Sequence, residues 1–341
     1  MRIAQITAGA TSTGTGLLYE RMTLLLSQSG QQIFPIIDHD PGHEVRLRAA
    51  ALTPTVLDFG GLLDFSTKKG IRQVLKAQKA QIALAWTGRA AGFLPDGPWI
   101  KIGRMDGYHG FHEFGHCAYL AGSTRNIASY IAASGFPKAN VLYLPDFVDD
   151  FSREDPVSRA TLGVPEEAPL LLGLGPLHRA NGFDMLIRAV ALLPDMYCVI
   201  AGEGPERAAL TRLIGELSLG ERVRLVGERR DTGALLKAAD VFVCPSRLAP
   251  LGSAVLEAFS AQTPVLAANV EGATGVIRDG EEGLLVPVND PAALASAARQ
   301  IFDDMRLRVK LALAARQRFV EEFSQKAVLA AWLEVLQKLA P

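Results

Sequence analysis

Two doubly wound α/β domains, each built on a parallel sheet, are the fold this sequence predicts, and three observations predict it. Its 341 residues are too many for one comfortable core and suit two domains of about 150 residues each. Short apolar runs alternate along the chain with helical patterns, as βαβ units require. Turns rich in Gly, Pro and Ser fall between a strand and the next helix, at the edge where open α/β sheets take ligands. Apolar residues make up 49% of the chain and the formal charge is -1, which gives no reason to expect nucleic acid.

Residues 1–150 form the first predicted domain. Its strands are read at 3–6, 33–37, 56–59, 81–86, 99–103, 119–122 and 141–144, with helical patterns between most of them. The first strand leads into Gly9-Ala10-Thr11-Ser12-Thr13-Gly14-Thr15-Gly16 and then a helical pattern over 17–26. Such a turn can hold a phosphate or sugar against backbone amides, although its spacing is neither a P-loop nor G-x-G-x-x-G. Lys68, Lys69, Arg72, Lys76 and Lys79 recur at three- and four-residue spacing on one helical face. The plain reading is a solvated surface helix, and the sharper one is a strip that docks on an anionic membrane.

His112-Glu113-Phe114-Gly115-His116 matches the H-E-x-x-H helix of zinc peptidases. Gly115 weakens the helix that motif needs, and no downstream extension supplies a third ligand. Cys117, Cys198 and Cys244 are isolated thiols in apolar surroundings and read as reduced core residues. No apolar run approaches the roughly 20 residues of a spanning helix. The first residues go straight into a strand with no signal-peptide pattern, so a cytoplasmic location is the expectation.

The second predicted domain covers 151–323, after an acidic, patternless stretch over 145–155 that suits a linker. Strands are read at 170–174, around 199–201, at 223–226, 241–244 and 265–268, and after the tight turn at 279–283. The tail from 324 to 341 carries Val328, Leu329, Trp332, Leu336 and Leu339 at helical spacing.

The stretch from Ala238 to Asp290 carries the most chemistry. Val241-Phe242-Val243-Cys244 is a strand that Pro245-Ser246 stop, and Ser253 to Ala261 reads as a helix capped near Gly252 or Ser253. Unpaired amides at that helix start form a ready site for phosphate, and Gly252 allows a close approach. Glu257, one turn further in on an apolar helix, is costly unless it has a partner, and two ribose hydroxyls suit it.

At these residues the chain resembles family 4 of the retaining glycosyltransferases, whose GT-B fold sets two Rossmann-like domains facing a cleft. Pro245-Ser246, Pro250-Leu251-Gly252 and Glu257 match the family's E-x7-E region, with Ala249 where its first Glu is expected. Arg104-Met105-Asp106-Gly107-Tyr108, Ser123-Thr124-Arg125 and Leu144-Pro145-Asp146-Phe147-Val148 resemble the lipopolysaccharide and cell-surface glycan branch. Three further polar groups of the pattern are missing: Pro176 replaces an Arg, Asn181 a Lys, and Gly275 a carboxylate.

The resemblance implies transfer of a sugar, with retention, from a nucleotide diphosphate sugar to a cell-surface glycan or lipid-linked acceptor. It implies neither a metal nor a resident cofactor. Arg104, Asp106 and His109 become candidates on the side of the transferred sugar and acceptor. Gly14, Gly16, Arg179, Gly204, Arg229, Leu251, Gly252, Ser253 and Glu257 become the donor-binding candidates. The final helix is expected to cross back onto the first domain, and a peripheral place on the inner face of the plasma membrane fits the basic strip. Because the missing cations would weaken a diphosphate clamp, the alternative is a pseudo-enzyme that binds a nucleotide, glycan or partner without turnover.

Overall fold

The computed structural model describes residues 1–9, 14–61, 64–248 and 253–340. The chain divides into two compact units. The first comprises Met1–Asp146 and Lys326–Pro341, the second Phe147–Gln325.

The first unit alternates β1 (Arg2–Ile6), α1 (Gly14–Gln28), β2 (Gln32–Ile37), α2 (Pro41–Ala49), β3 (Thr55–Val56), α3 (Phe65–Ala77) and β4 (Ile82–Ala85). It continues through α4 (Gly88–Gly92), β5 (Ile100–Met105), β6 (Tyr119–Gly122), α5 (Arg125–Ala133) and β7 (Val141–Tyr143). Among the described residues these strands form one parallel sheet of seven, ordered β3-β2-β1-β4-β5-β6-β7. Strands β1 and β4 sit at the centre and are buried almost throughout, which explains their continuous apolar character. Helix starts are written in capping residues. Asp40 accepts the His43 amide ahead of Pro41, Asp64 accepts that of Thr67, and Thr124 that of Ile127.

The second unit runs β8 (Leu170–Leu174), α6 (Phe183–Ala191), β9 (Tyr197–Ala201), α7 (Arg207–Glu216), β10 (Val223–Leu225), α8 (Thr232–Ala238) and β11 (Val241–Cys244). It continues with α9 (Ser253–Ala261), β12 (Val265–Ala268), α10 (Glu271–Thr274), β13 (Gly283–Val286), α11 (Pro291–Asp303) and α12 (Met305–Arg318). Its described strands form a six-stranded parallel sheet ordered β10-β9-β8-β11-β12-β13. Alternate residues face opposite cores. Leu171, Cys198, Ile200, Val241 and Val243 pack with α6, α7 and α11, whereas Leu172, Val199, Phe242 and Val265 pack with α8 and α9. Helices therefore cover both faces, as a doubly wound sheet requires.

The last helix, α13 (Gln325–Leu339), buries Val328, Trp332 and Leu336. Trp332 stacks on Trp86 with ring centroids 5.6 Å apart, and its indole N–H donates to the Pro145 carbonyl at 2.9 Å. The end of the chain thereby completes the core of the first unit.

Three sequence expectations are corrected. Gly14 and Gly16 lie in the first turn of α1 and not in the preceding turn, because the helix starts earlier than its apolar pattern. The strand expected at 56–59 is only Thr55–Val56; Phe59 takes a left-handed φ of +45°, and its amide donates to the Thr67 hydroxyl. Lys79 lies beyond the end of α3 at φ +46°.

The three cysteines are free. Burial pushes the Cys117 thiol up to about 12 and raises those of Cys198 and Cys244 as well. A thiol-reactive dye at pH 8 is therefore expected to leave Cys117 and Cys198 unlabelled in the native protein, to reach the partly exposed Cys244 slowly, and to label all three thiols in denaturant. Rapid labelling of the native chain would contradict this burial.

Candidate functional site

In the second unit, the connections from β8 run toward β9 and β10, and those from β11 run toward β12 and β13. Strands β8 and β11 are neighbours, so the chain reverses direction between them, and the carboxyl ends of those two strands are where such sheets bind ligands. The loops there are the 175–182 turn and the segment after β11, described as far as Leu248.

The turns at this edge interlock. The Gly202 amide donates to the Gly227 carbonyl (2.7 Å), and the Gly175 amide to that of Ala201 (3.0 Å). The Arg247 amide donates to the Ala180 carbonyl (2.7 Å). Gly182, at φ +67°, lies so close to β11 that an added Cβ would stand 2.1 Å from the Pro245 carbonyl oxygen. Gly204 is similarly hemmed in, with 2.5 Å from a notional Cβ to the Leu177 carbonyl oxygen. Its glycine is therefore explained by backbone packing.

Arg247 is the side chain that sequence reasoning missed. Its guanidinium donates to both carboxylate oxygens of Asp184 (2.7 Å each), to the Arg179 carbonyl (2.9 Å) and, through Nε, to Asn289 Oδ1 (2.5 Å). Burial pushes the Asp184 carboxyl up, but the bonds and charge of Arg247 outweigh it and hold the group below the usual carboxylate range. A depressed folded-state value means this bridge contributes fully above the ordinary carboxylate pKa and is lost as pH falls through the lowered one. The signal was an Arg directly after Pro245-Ser246 and an acid in the first turn of the helix after Gly182.

The donor candidates distribute as follows. Arg179 is exposed and lines an open cavity of about 500 Å³ with Asp184, Arg188, Glu206, Arg212 and Arg247. Arg229 is committed to Asp231 through two bonds (2.8 and 2.5 Å), which lower the Asp231 pKa. Ser253 opens α9 and is exposed, and Glu257 lies four residues on along the same face, half-buried. Leu251 and Gly252, with Ala249 and Pro250, lie outside the described residues. Asn181, standing where a Lys was expected, donates its side-chain amide to the Pro176 carbonyl (2.7 Å) and so closes its own turn.

In the first unit the reversal falls between β1 and β4. The Gly9 amide donates to Asp38 (2.7 Å) and the Thr87 hydroxyl to the Ala8 carbonyl (2.9 Å), fixing the start of the turn there; residues 10–13 lie outside the described set. Thr15, in the first turn of α1, donates to Asp106 Oδ2 at 2.5 Å, which brings Gly14, Gly16 and the half-buried Asp106 together. His109 is exposed and stacks on Phe114 at 6.3 Å.

Arg104, a candidate on the sugar side, sits at the end of β5, and its Nε and Nη1 have no hydrogen-bond partner among the described residues. Its guanidinium is buried, paired with Asp146, and lies 4.7 Å from the Trp86 ring centroid. His112 to Phe114 form a single 3-10 turn and not the α-helix that H-E-x-x-H needs.

A family model described as glycosyl transferases group 1 matches residues 154–318. The lipopolysaccharide core biosynthesis glycosyltransferase LpsE of Rhizobium meliloti (strain 1021) is 34% identical over 268 residues, covering 78% of each chain. Two solved structures match in fold: a glycosyltransferase from Rickettsia africae ESF-5 and Anabaena Alr3699/HepE in complex with UDP. The first has a TM-score of 0.87 at 18% identity, covering 99% of this chain and 98% of that one. The second has a TM-score of 0.85 at 17% identity, covering 99% and 100%.

Proposed function

Because this chain belongs to the group 1 glycosyl transferases, we propose that it moves a sugar, with retention of configuration, from a nucleotide diphosphate sugar to an acceptor in lipopolysaccharide core assembly. The observation that carries this reading is the identity with LpsE over most of both chains; Arg179 in the connection after β8, and Ser253 and Glu257 on the helix after β11, support its donor side. The structure of HepE with UDP supports a uridine diphosphate donor.

In this reading the first-turn amides of α9 and the helix dipole hold the diphosphate. The Glu257 carboxylate accepts from the ribose hydroxyls. Arg179, exposed at the mouth of the 175–182 turn, supplies cationic charge in place of the residues absent at 176 and 181. In the first unit, Asp106, oriented by Thr15, and His109 face the acceptor or transferred sugar. Stabilisation of the leaving diphosphate by preorganised amides and charge is the main catalytic effect.

The test is transfer from UDP- and GDP-sugars to a truncated core oligosaccharide, with the product's anomeric configuration read by NMR. Product carrying the donor's anomeric configuration is expected. An inverted product would sink retention, and nucleotide binding without transfer would favour the binding-only module.

The exposed face of α3 supports peripheral contact with the inner leaflet. Lys69, Arg72 and Lys76 are exposed on it, with Phe65 at its start, while Thr67, Ile71 and Leu75 face the core. Vesicles containing acidic phospholipid are expected to sediment the protein, and neutral vesicles are not. Equal partitioning would remove the membrane from the account.

A further inference from the structure

We propose that Arg247 is a positioning residue for the donor, setting the separation between the 175–182 turn and the segment after β11 that is described as far as Leu248. The inference rests on the donor reading above and deepens it.

One side chain ties three connections at the ligand-binding edge: Arg179 before α6 and Asp184 in its first turn, Asn289 between β13 and α11, and its own segment after β11. The backbone of the same residue adds the bond to Ala180. A planar guanidinium gripping both carboxylate oxygens fixes distance and angle, which a single ammonium contact does not. Geometry matters here because Pro176 carries no charge and the Asn181 amide is spent on its own turn. Much of the grip on a diphosphate then falls to backbone amides, and a loosened turn must be reordered each time the donor binds, which costs affinity. With its charge neutralised by Asp184, Arg247 acts through the loops and not on the phosphates.

The experiment titrates UDP and GDP calorimetrically into the unaltered protein and into Arg247→Ala, Arg247→Lys, Asp184→Asn and the Arg247→Ala/Asp184→Asn double variant. Steady-state kinetics against donor and thermal melting accompany it. The nucleotide Kd and the donor KM are expected to rise roughly tenfold to thirtyfold in each Ala or Asn variant. The double variant should be no worse than either single one, Arg247→Lys should recover little, and kcat at saturating donor should stay within about threefold. An unchanged Kd in Arg247→Ala, or a fall in kcat with KM unmoved, overturns the proposal. Should Arg247→Ala fail to fold, Arg247→Lys and Asp184→Asn decide by the same readouts. If the unaltered protein binds neither nucleotide, the donor reading falls and takes this inference with it.

Discussion

Arg104→Ala is expected to destabilise the first unit by roughly 3 to 5 kcal/mol, the usual cost of breaking a buried ion pair from one side. Urea unfolding followed by tryptophan fluorescence is the measurement, since Trp86 lies against the guanidinium. The Arg104 side chain has no exposure, whereas that of Asp146 keeps 36%, so the lower end of the range is expected. Burial already holds the Asp146 carboxyl above the ordinary carboxylate range despite Arg104. Removing the cation would raise it further. With the folded value above the unfolded one, the native state binds more protons in that window, so stability falls as pH rises through it. The variant should therefore recover part of its loss as pH falls from neutral toward the raised value of the carboxyl. Arg104→Met/Asp146→Asn should recover most of it at neutral pH, because replacing both partners leaves no orphaned charge. An Arg104→Ala protein as stable as the parent would show that the pair contributes nothing.

Glu257→Ala is expected to lower kcat/KM for donor by about a hundredfold or more. Two hydrogen bonds to a charged group contribute about 1.5 to 3 kcal/mol each, and each 1.4 kcal/mol is tenfold. Glu257→Gln, which keeps an acceptor oxygen, should lose roughly tenfold. Val255, Leu256, Ala258 and Phe259 hold α9 in the core, and the substitution leaves those contacts in place. Comparing UDP with 2′,3′-dideoxy-UDP gives the specific readout. The parent should discriminate strongly between them and Glu257→Ala should not. Equal discrimination by both proteins would detach Glu257 from the ribose.

The fold was legible because a parallel strand buried on both faces is written as a continuous apolar run. The bounds of β6, β8, β11 and β12 coincide with those read from such runs. Errors fell where a tertiary contact sets an element's end. The start of α1 is joined to Asp106, 91 residues away, through Thr15, and no local pattern announces that bond. Phe59 reads as a strand residue, yet its amide is taken by Thr67 and the ladder ends at Val56.

The site was half legible for the same reason. Ser253 and Glu257 sit at helical spacing that can be counted. Arg247 and Asp184 are 63 residues apart on two connections that meet only because β8 lies beside β11. Arg104 likewise pairs with Asp146, 42 residues away, and no local pattern announces that contact either.

The stack of Trp332 on Trp86 carries a consequence for biosynthesis. A ribosome synthesises the described strands of the first sheet, and then the whole second unit, before the helix bearing Trp332. Until then, the indole of Trp86 lacks its cover and the Pro145 carbonyl its donor. Nascent chains should thus carry the strands of the first sheet without their last core helix throughout synthesis of the second unit, a natural window for a chaperone.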